Sequence, residues 1–517
     1  MRTKSQQIKT PEARILNLER ELNWALMKIR VLEEQLRQER IRRMGPHSEK
    51  LSDLQLELLQ FEPLVTVDEV EAEAGRSPFP APAPGPDTVQ DKPKAKAHPG
   101  RQKFSASLRR VTETITCPPE LCQCPACGAE TAVIGHDESE MLDVEPAAYF
   151  VRVTRREKRA CRRCEQGTVV AAPVEPRIVE KGLASDRIVI DTVVAKYCDH
   201  LPLYRQAAML EREAGLEICR ATLDGWVMRV GELLIPLVES MRRDLLEGTY
   251  LQADETTVGV QTHDKRGSNH EAWLWQYGRP GGETVFDFRM GRDRDGPRKF
   301  LGRWEGILQS DGYKAYDEIG GPKLLHVGCW AHARRKFVDA VKLNPRDVNA
   351  VRMVASMDAL FRIEAEARAS GLTAEARLVL RRERSDAVAL QIHNDCLMLA
   401  TRELPQSAVR KGATYLLNQW TRLNRCLEYG EVEISNNMAE NSMRPVALGR
   451  KNWLHVGSEA AGAKVAAMLS VVESCRRLGL PVKQYLAEVL PGLNHKLRSE
   501  VRLITPRHWA ASRSSGL

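Results

Sequence analysis

No apolar run in this chain approaches the ~20 residues that a membrane-crossing helix needs, and the opening stretch MRTKSQQIKT has no apolar core of the kind a secretory signal carries. Both absences point to a protein that stays inside the cell, with no membrane partner. Acidic residues are scarce in one place: between Val151 and Cys164 there are seven basic residues and one acid, Glu157. The whole chain carries a formal net charge of +8. A mildly basic chain with local basic blocks fits a polyanion partner, although a charge run is more often a solvated face. Nor is there the secreted setting in which disulfides persist. The twelve cysteines are therefore read as metal ligands or core residues.

The chain has 517 residues, too many for one ordinary core, and suggests three or four units of roughly 100–200 residues each. From Ile15 to Leu36 the apolar residues fall into heptads, with Ile15, Leu22, Ile29 and Leu36 at one position and Leu18, Ala25 and Leu32 at the other. That spacing predicts a coiled coil of about three heptads and hence a homo-oligomer, the alternative being an amphipathic helix packed on its own chain. Between Gly75 and Pro99 the Pro/Ala/Lys-rich stretches SPFPAPAPGPD and KPKAKAHPG cannot build a core and predict a flexible linker.

Beyond the linker, Cys124-Pro-Ala-Cys127-Gly and Cys161-Arg-Arg-Cys164 form two CxxC knuckles separated by 33 residues. Two thiolates three positions apart reach one ion, and two such pairs complete a tetrahedral four-sulfur zinc site, with Gly128 allowing the tight turn. The intervening MLDVEP and YFVRVTRREKRA read as strands, as in a zinc ribbon. Four buried cysteines without metal is the alternative, and Cys122 could replace Cys124, with Cys117 also unassigned. From Leu183 to Met241 the pattern is helical with a break at Gly215, after which Leu223, Val227, Val230, Leu234 and Leu237 form one face. Helix, turn, helix is compatible with DNA reading, and equally with plain packing.

After Gly248 the pattern changes to strands: TYLQADETTVGV, EAWLWQYG and TVFDFRMG, then a helix-like GPRKFLGRWEG, a fourth strand GILQSDGYKAYD and a helix CWAHARRKFVDAV. This order is that of a ribonuclease-H-like core. It puts Asp254 within the first strand and Asp311 at the end of the fourth, strands that are neighbours in such a sheet. Two carboxylates converging there suit a pair of hard cations, which can activate an attacking oxygen and stabilise a leaving one. A mostly helical segment from Val341 to about Glu433 interrupts the core, with Leu416, Trp420, Leu423 and Leu427 on one helix face. The stretch NNMAENSMRPVALGRKNW follows, and Glu440 is its acid. Locally it reads as a capping box, with Asn437 as N-cap, Glu440 at the third position and Arg444 paired to it one turn on, while Pro445 limits the helix.

The segments RRMGPHSEKL, CPACG with CRRC, KYCDHLPLYRQ, ADETTV, QSDGYKAYD, CWAHARRKF and NNMAENSMRPVALGRKNWLHVGS together resemble the insertion-sequence-sixty-six family of DDE transposases over nearly the whole chain. The resemblance implies a multidomain α/β protein. Its expected parts are an N-terminal leucine-zipper-like coiled coil (1–60), a disordered linker (61–104), a zinc ribbon (105–180) and a helical DNA-binding candidate (181–245). A ribonuclease-H-like catalytic core (246–340 and 430–470) follows, with a helical insertion (341–429) and a C-terminal tail (471–517). It further implies that Asp254, Asp311 and Glu440 are the catalytic triad and hold two Mg2+ (or Mn2+), and that Cys329 and His332 match a Cys-x-x-His signature in which His332 contacts a phosphate. Arg444, Arg450 and Lys451, with Arg155 and Arg156 of the basic block, are the expected DNA contacts. Two positions depart from the family pattern: Asn441 stands where Arg is usual, and Leu454-His455 where Leu-Phe is usual.

The expected activity is metal-dependent nicking of element ends and strand transfer into target DNA, in a bacterial cytoplasm, on the nucleoid when bound to DNA. Companion proteins of the same element are expected partners. A zinc-dependent DNA-binding regulator without catalysis, and a nuclease that cuts without joining, are the competing readings.

Overall fold

The computed structural model describes residues 148–159, 170–262 and 268–514, together with residues 18, 22, 26, 29, 32, 36, 112 and 114. Cys117, Cys122, Cys124, Cys127, Cys161 and Cys164 lie outside the described residues, as does the Pro/Ala-rich linker. The chain divides into two compact units, 79–154 and the remainder. In the heptad region Leu18, Leu22, Leu26, Ile29, Leu32 and Leu36 are helical, and each is at least half exposed.

The basic segment before the second knuckle was expected as a long strand, but residues 149–157 are extended coil. Only β1 (Lys158–Arg159) pairs, antiparallel, with β2 (Val170–Ala171). With Arg152, Arg155 and Arg156 in it and every residue exposed, the segment has no buried face to hold against a core.

Three helices open the larger fold: α1 (Asp186–Tyr197), α2 (Leu203–Ala214) and α3 (Arg220–Leu246). Ser185 caps α1, its hydroxyl accepting from Ile188 N. Gly215 ends α2 in the left-handed region at φ 63°. The predicted face of α3 is its buried one: Leu223, Val227, Val230, Leu234 and Leu237 are each at most 1% exposed. That face packs on the core, while Arg220, Thr222, Asp224 and Gly225 stay exposed.

The sheet follows: β3 (Tyr250–Val260), β4 (His270–Gly278) and β5 (Thr284–Arg289) in an antiparallel meander, α4 (Asp295–Leu301), β6 (Ile307–Gln309) and β7 (Leu325–Val327). The strand order is β5-β4-β3-β6-β7, with β6 parallel to both β3 and β7. The sequence pattern missed β7, because three residues are too few to show a period. Then come α5 (Trp330–Leu343), the helices α6 (Val348–Ala369), α7 (Ala374–Leu380), α8 (Asp386–Arg402) and α9 (Ala408–Arg425), and α10 (Asn437–Trp453). A short β8 (His455–Val456) pairs parallel with the far end of β3.

Residues 471–514 of the expected C-terminal tail are helical and packed. Helix α11 (Glu459–Arg477), α12 (Val482–Val489), α13 (Arg498–Arg502) and α14 (Pro506–Ser514) follow β8, and Cys475, Tyr485, Leu486, Val501 and Trp509 are buried in the main core. Gly462 of α11 lies so close to Phe288 that an added Cβ would sit 2.2 Å from the ring, which is why the helix packs flat on β5. From the same helix Ser470 Oγ and Ser474 Oγ accept from Phe286 N at 2.8 Å and Thr284 N at 3.0 Å. The edge strand's open donors are thereby satisfied, which removes a pairing edge.

Two apolar clusters lie on the two faces of the sheet. Leu251 and Ala253 belong to the one shared with α1, α3 and α11. Tyr250, Ile307 and Val327 belong to the one shared with α5, α6, α8 and α9. Alternation along β3 follows the pleat, and it makes the insertion half of one core with the sheet. The insertion also carries a buried ionic cluster. Where α7 passes into α8 there is a π-helical stretch, Arg381–Ser385. Arg381, 0% exposed, sits there and reaches Glu364 at 2.7 Å and the carbonyls of Cys426, Tyr429 and Val432.

Candidate functional site

The site forms where the edge of β3 is left open. Residues 250–252 pair with β6 and residues 259–260 with β8. Between them, among the described residues, β3 has no strand partner on that edge, and side chains fill the gap. Asn436 Nδ2 donates to Ala253 O at 2.9 Å, and Arg450 Nη1 donates to Thr257 O at 2.6 Å and to the hydroxyls of Thr256 and Thr257. Asp254 lies between these two clamps.

The run 432–436 that leads into α10 is held from all sides. Tyr250 OH accepts from Glu433 N at 3.1 Å and donates to Gln309 Oε1 at 2.5 Å, Gln309 Nε2 donates to Glu433 O at 2.7 Å, and Gln252 Nε2 donates to Ser435 O at 3.0 Å. From the start of α5, Trp330 N donates to Ile434 O at 3.1 Å and Cys329 Sγ accepts from Asn436 N at 3.2 Å. From the insertion, Arg368 and Arg377 bind the Glu433 carboxylate. Buried polar groups carry a high penalty if unpaired; here one short segment is fixed by strand, helix and insertion together.

Helix α10 therefore starts at a fixed point. Its N-cap is Asn436, with no side-chain cap bond, so the expected box built on Asn437 does not form; Glu440 stands one position later, its N–H bonded to Asn436 O at 3.2 Å. Asn436 is instead spent on β3. The helix also runs on through Pro445 to Trp453, further than expected, because Arg450 anchors its last turn to β3. The Glu440 carboxylate faces α5, with Oε1 3.5 Å from His332 Nδ1 and Oε2 3.7 Å from Arg335 Nη2.

Asp311 follows β6 by two residues. Its Oδ1 accepts from Tyr313 N at 2.9 Å, its carbonyl accepts from Tyr415 OH at 3.1 Å, and Gly312 takes the positive φ, 88°, of the turn. The charges of Glu440 and Asp311 act on Asp254. Burial drives the Asp254 carboxyl well above the usual carboxylate range, and Glu440, Glu255 and Asp311 add to the rise, while His332 opposes it. Glu255, which sequence reasoning passed over, is also raised by burial, though Arg292 at 2.7 Å and Tyr316 OH at 2.7 Å hold its carboxylate. Its signal was the adjacent acid pair in ADETT. For His332, burial works against a protonated ring, but Cys329 beside it and Glu440 outweigh that and push it up to about 10.

The expected site residues thus separate into groups. Asp254, Asp311, Glu440 and His332 gather, and Cys329 joins them through the first turn of α5. Arg335 is an addition from the same helix. Of the expected DNA contacts, Arg450 is committed to β3, Lys451 is exposed and Arg444 is half-buried. Arg155 and Arg156 are exposed, with Arg156 Nη1 on Ala172 O at 3.0 Å. Asn441, the departure from the family pattern, is 8% exposed and points into the fold.

Oxygen donors crowded together with unbalanced negative charge suit a divalent cation, and the buried Oε1 of Glu440 has no hydrogen-bond partner. No helix among the described residues is long and apolar enough to cross a membrane.

Comparison with known proteins agrees with this geometry. The family model described as "Transposase IS66 family" matches residues 181–464, from α1 into α11. The "zinc-finger binding domain of transposase IS66" matches 122–165, which contains both CxxC knuckles, and "Transposase C of IS166 homeodomain" matches 31–112. Among relatives, the uncharacterized protein y4qI of Sinorhizobium fredii is 34% identical over 416 residues, 77% of this chain and 75% of that one. Proteins y4jD and y4hP of the same organism are 33% identical over 410 residues (76% and 79% of the two chains) and 29% over 505 (92% and 88%). With the family match spanning the whole stretch that holds the acids, the clamp and the insertion, this chain belongs to the transposase IS66 family.

Proposed function

We propose that the chain nicks DNA at the ends of its element and transfers the freed strand into target DNA, using Asp254, Asp311 and Glu440 as the ligands of two divalent cations. The observation that carries this reading is the action of Glu440 and Asp311 on the buried Asp254 beside an open strand edge, with burial and Glu440 raising Asp254 most. The strand order β5-β4-β3-β6-β7, with the first, fourth and fifth strands parallel, supports a ribonuclease-H-like core. The acids come from its first strand, the turn after its fourth and the helix after the insertion.

When bound, such cations lower the pKa of an attacking water and stabilise the leaving oxygen of a phosphodiester. The protein's own groups set the geometry. Asn436 and Arg450 hold the backbone on either side of Asp254; Gly312 and Tyr415 fix Asp311; the clamped run 432–436 delivers Glu440. His332 presents a ring N–H to a phosphate oxygen. In the nick, water oxygen bonds to phosphorus, the bond to the 3′ oxygen breaks, and a 3′-hydroxyl is left; in transfer that hydroxyl attacks a target phosphate and displaces the target's own 3′ oxygen. Arg444, Lys451, Arg155 and Arg156 orient the backbone of the duplex without reading sequence. Recognition of the ends falls to the zinc ribbon, held by Cys124, Cys127, Cys161 and Cys164, and to the exposed residues Arg220, Thr222 and Asp224 at the start of α3. The exposed leucine series from Leu18 to Leu36 pairs two or more copies.

The test is a duplex carrying one element end, incubated with the purified chain and Mg2+ or Mn2+. Site-specific 3′-hydroxyl ends and joined product are expected, and Asp254→Asn, Asp311→Asn and Glu440→Gln each remove both. Cutting without joining would favour the nuclease reading, and nicking that survives Glu440→Gln would overturn the assignment.

A further inference from the structure

We propose that Cys329, His332 and Glu440 form a separate site for a thiophilic divalent cation of the zinc class, distinct from both the CxxC knuckles and the all-oxygen pair. One Sγ, one ring nitrogen and one carboxylate oxygen lie within 4.8 Å of one another. A tetrahedral zinc with bonds of roughly 2.0–2.3 Å spaces its ligands by about 3.3–3.8 Å, and His332 Nδ1 to Glu440 Oε1 is already 3.5 Å. The remaining separations are at most 4.8 Å.

Two of these atoms are also buried and face each other at 3.5 Å without a hydrogen bond. His332 Nδ1 and Glu440 Oε1 have no hydrogen-bond partner, a costly state for polar atoms in the interior. The other Glu440 oxygen, Oε2, faces Arg335, so the orphaned oxygen is the one turned to the cluster. Cys329 is the N-cap of α5 and accepts a backbone hydrogen bond from Asn436 N at 3.2 Å. The donated N–H holds the sulfur in place at the cluster; the thiolate is the form that binds metal. His332 stands three positions on, in the first turn, where its ring meets the same point.

On binding, the ion displaces the protons of the thiol and the ring; the resulting thiolate, carboxylate and neutral imidazole carry two negative charges, which a divalent ion cancels in a half-closed environment where an unbalanced pair is expensive. Sulfur and nitrogen donors select zinc or cobalt over magnesium, which asks for oxygens alone. Three protein ligands leave a fourth position open. The ion would tie the first turn of α5 to the first turn of α10 and thereby fix the side chain of Glu440, while Oε2 stays available to the hard-cation pair once it leaves Arg335. That last consequence rests on the strand-transfer reading; the site itself does not.

The experiment counts zinc in the full-length purified chain by elemental analysis, in wild type, His332→Ala, Cys329→Ser and Asp254→Asn, with circular dichroism as the check on folding. His332→Ala and Cys329→Ser are each expected to hold one equivalent fewer than wild type, and Asp254→Asn the same as wild type. After cobalt replacement, the difference spectrum between wild type and His332→Ala should show the d–d bands of a tetrahedral site with a single thiolate. Because Cys329 is buried, His332→Ala decides if the serine variant does not fold. An unchanged zinc count in His332→Ala overturns the proposal. Nicking by Asp254→Asn would overturn the transposition mechanism instead and leave the zinc counts as they are.

Discussion

The side-chain amide of Asn436 donates to the carbonyl of Ala253 across 183 residues of chain, and so couples the start of the Glu440 helix to the residue before Asp254. Asn436 is 0% exposed, and its backbone N–H is used as well, on Cys329. The two acids are placed with respect to each other by this bond. Asn436→Ala is expected to leave the Ala253 carbonyl unpaired, costing about 1–3 kcal/mol, and to lower nicking far more than stability alone accounts for. Thermal melts alongside single-turnover nicking check this; a variant with wild-type turnover would contradict the coupling.

Asp254→Asn should melt no lower than wild type in the absence of divalent ions, because it removes a buried charge from a crowd of acids. Wild type, by contrast, should gain stability as Mn2+ or Mg2+ is added, by the mass-action relation between ligand concentration and folding, about 2.7 kcal/mol at a hundred times Kd. The variant should gain much less. Differential scanning at a series of metal concentrations separates the two, and equal gains would remove Asp254 from the ligand set.

The insertion's buried ions should make it acid-sensitive. Burial by itself would raise the Glu433 carboxyl, but the guanidiniums of Arg368 and Arg377 reverse that and hold it at about 2, against an ordinary 4.5. A depressed folded value means that the stabilisation is complete above about pH 4.5 and is lost as pH falls toward 2. Glu433→Gln leaves two buried guanidiniums short of a partner and should cost roughly 3–5 kcal/mol at neutral pH. Its loss of stability between pH 5 and 3 should be correspondingly flatter, as read by denaturant midpoints.

Glu283 should act in the opposite sense. It is 3% exposed, and burial pushes its carboxyl up from 4.5 to about 7, despite the hydrogen bond that Arg507 N donates to it at 2.9 Å. The neutral acid suits the fold, so this group's contribution is intact below about pH 4.5 and is lost as pH rises through 7. Glu283→Gln keeps the acceptor and removes the charge. It should be more stable than wild type at pH 8 by on the order of 3 kcal/mol, and similar to it at pH 5. Equal midpoints at both pH values would refute this.

Ile29→Lys combined with Leu22→Glu should dissolve any assembly made through the exposed leucine series, which light scattering reads directly, while the circular dichroism of the rest of the chain stays as it was. A particle of unchanged mass would return those leucines to some other role.

Much of this was readable beforehand, and the reasons are specific. Asp254 could be placed because eleven residues of β3 are enough to show strand character, and Asp311 because glycine follows it where a turn is needed. The face of α3 was readable because five apolar residues recur at helical spacing. What escaped detection shares one property, which is that its partner lies far along the chain. Asn436 looked like one amide among several, and only the structure shows that it binds β3 rather than capping α10. Arg450 reads as a DNA contact, yet it closes an open strand edge. Gln252 and Gln309 carry no motif at all, and Arg381 resembles any charged residue in a helical run. The strands β7 and β8 are too short for any periodicity, and pairing alone defines them.

Because the insertion supplies half of the shared core and grips residues 432–436, the third acid reaches its place only after everything between residues 341 and 431 has been made and folded. Closing so long a loop is slow, since its entropy must be lost before its contacts are won. A chain still being synthesised, or one cut short within the insertion, carries two of the acids on a sheet but has no means of presenting the third. On the proposed strand-transfer reading, order of assembly would act as a lock on the chemistry: only molecules that have finished folding would put DNA at risk.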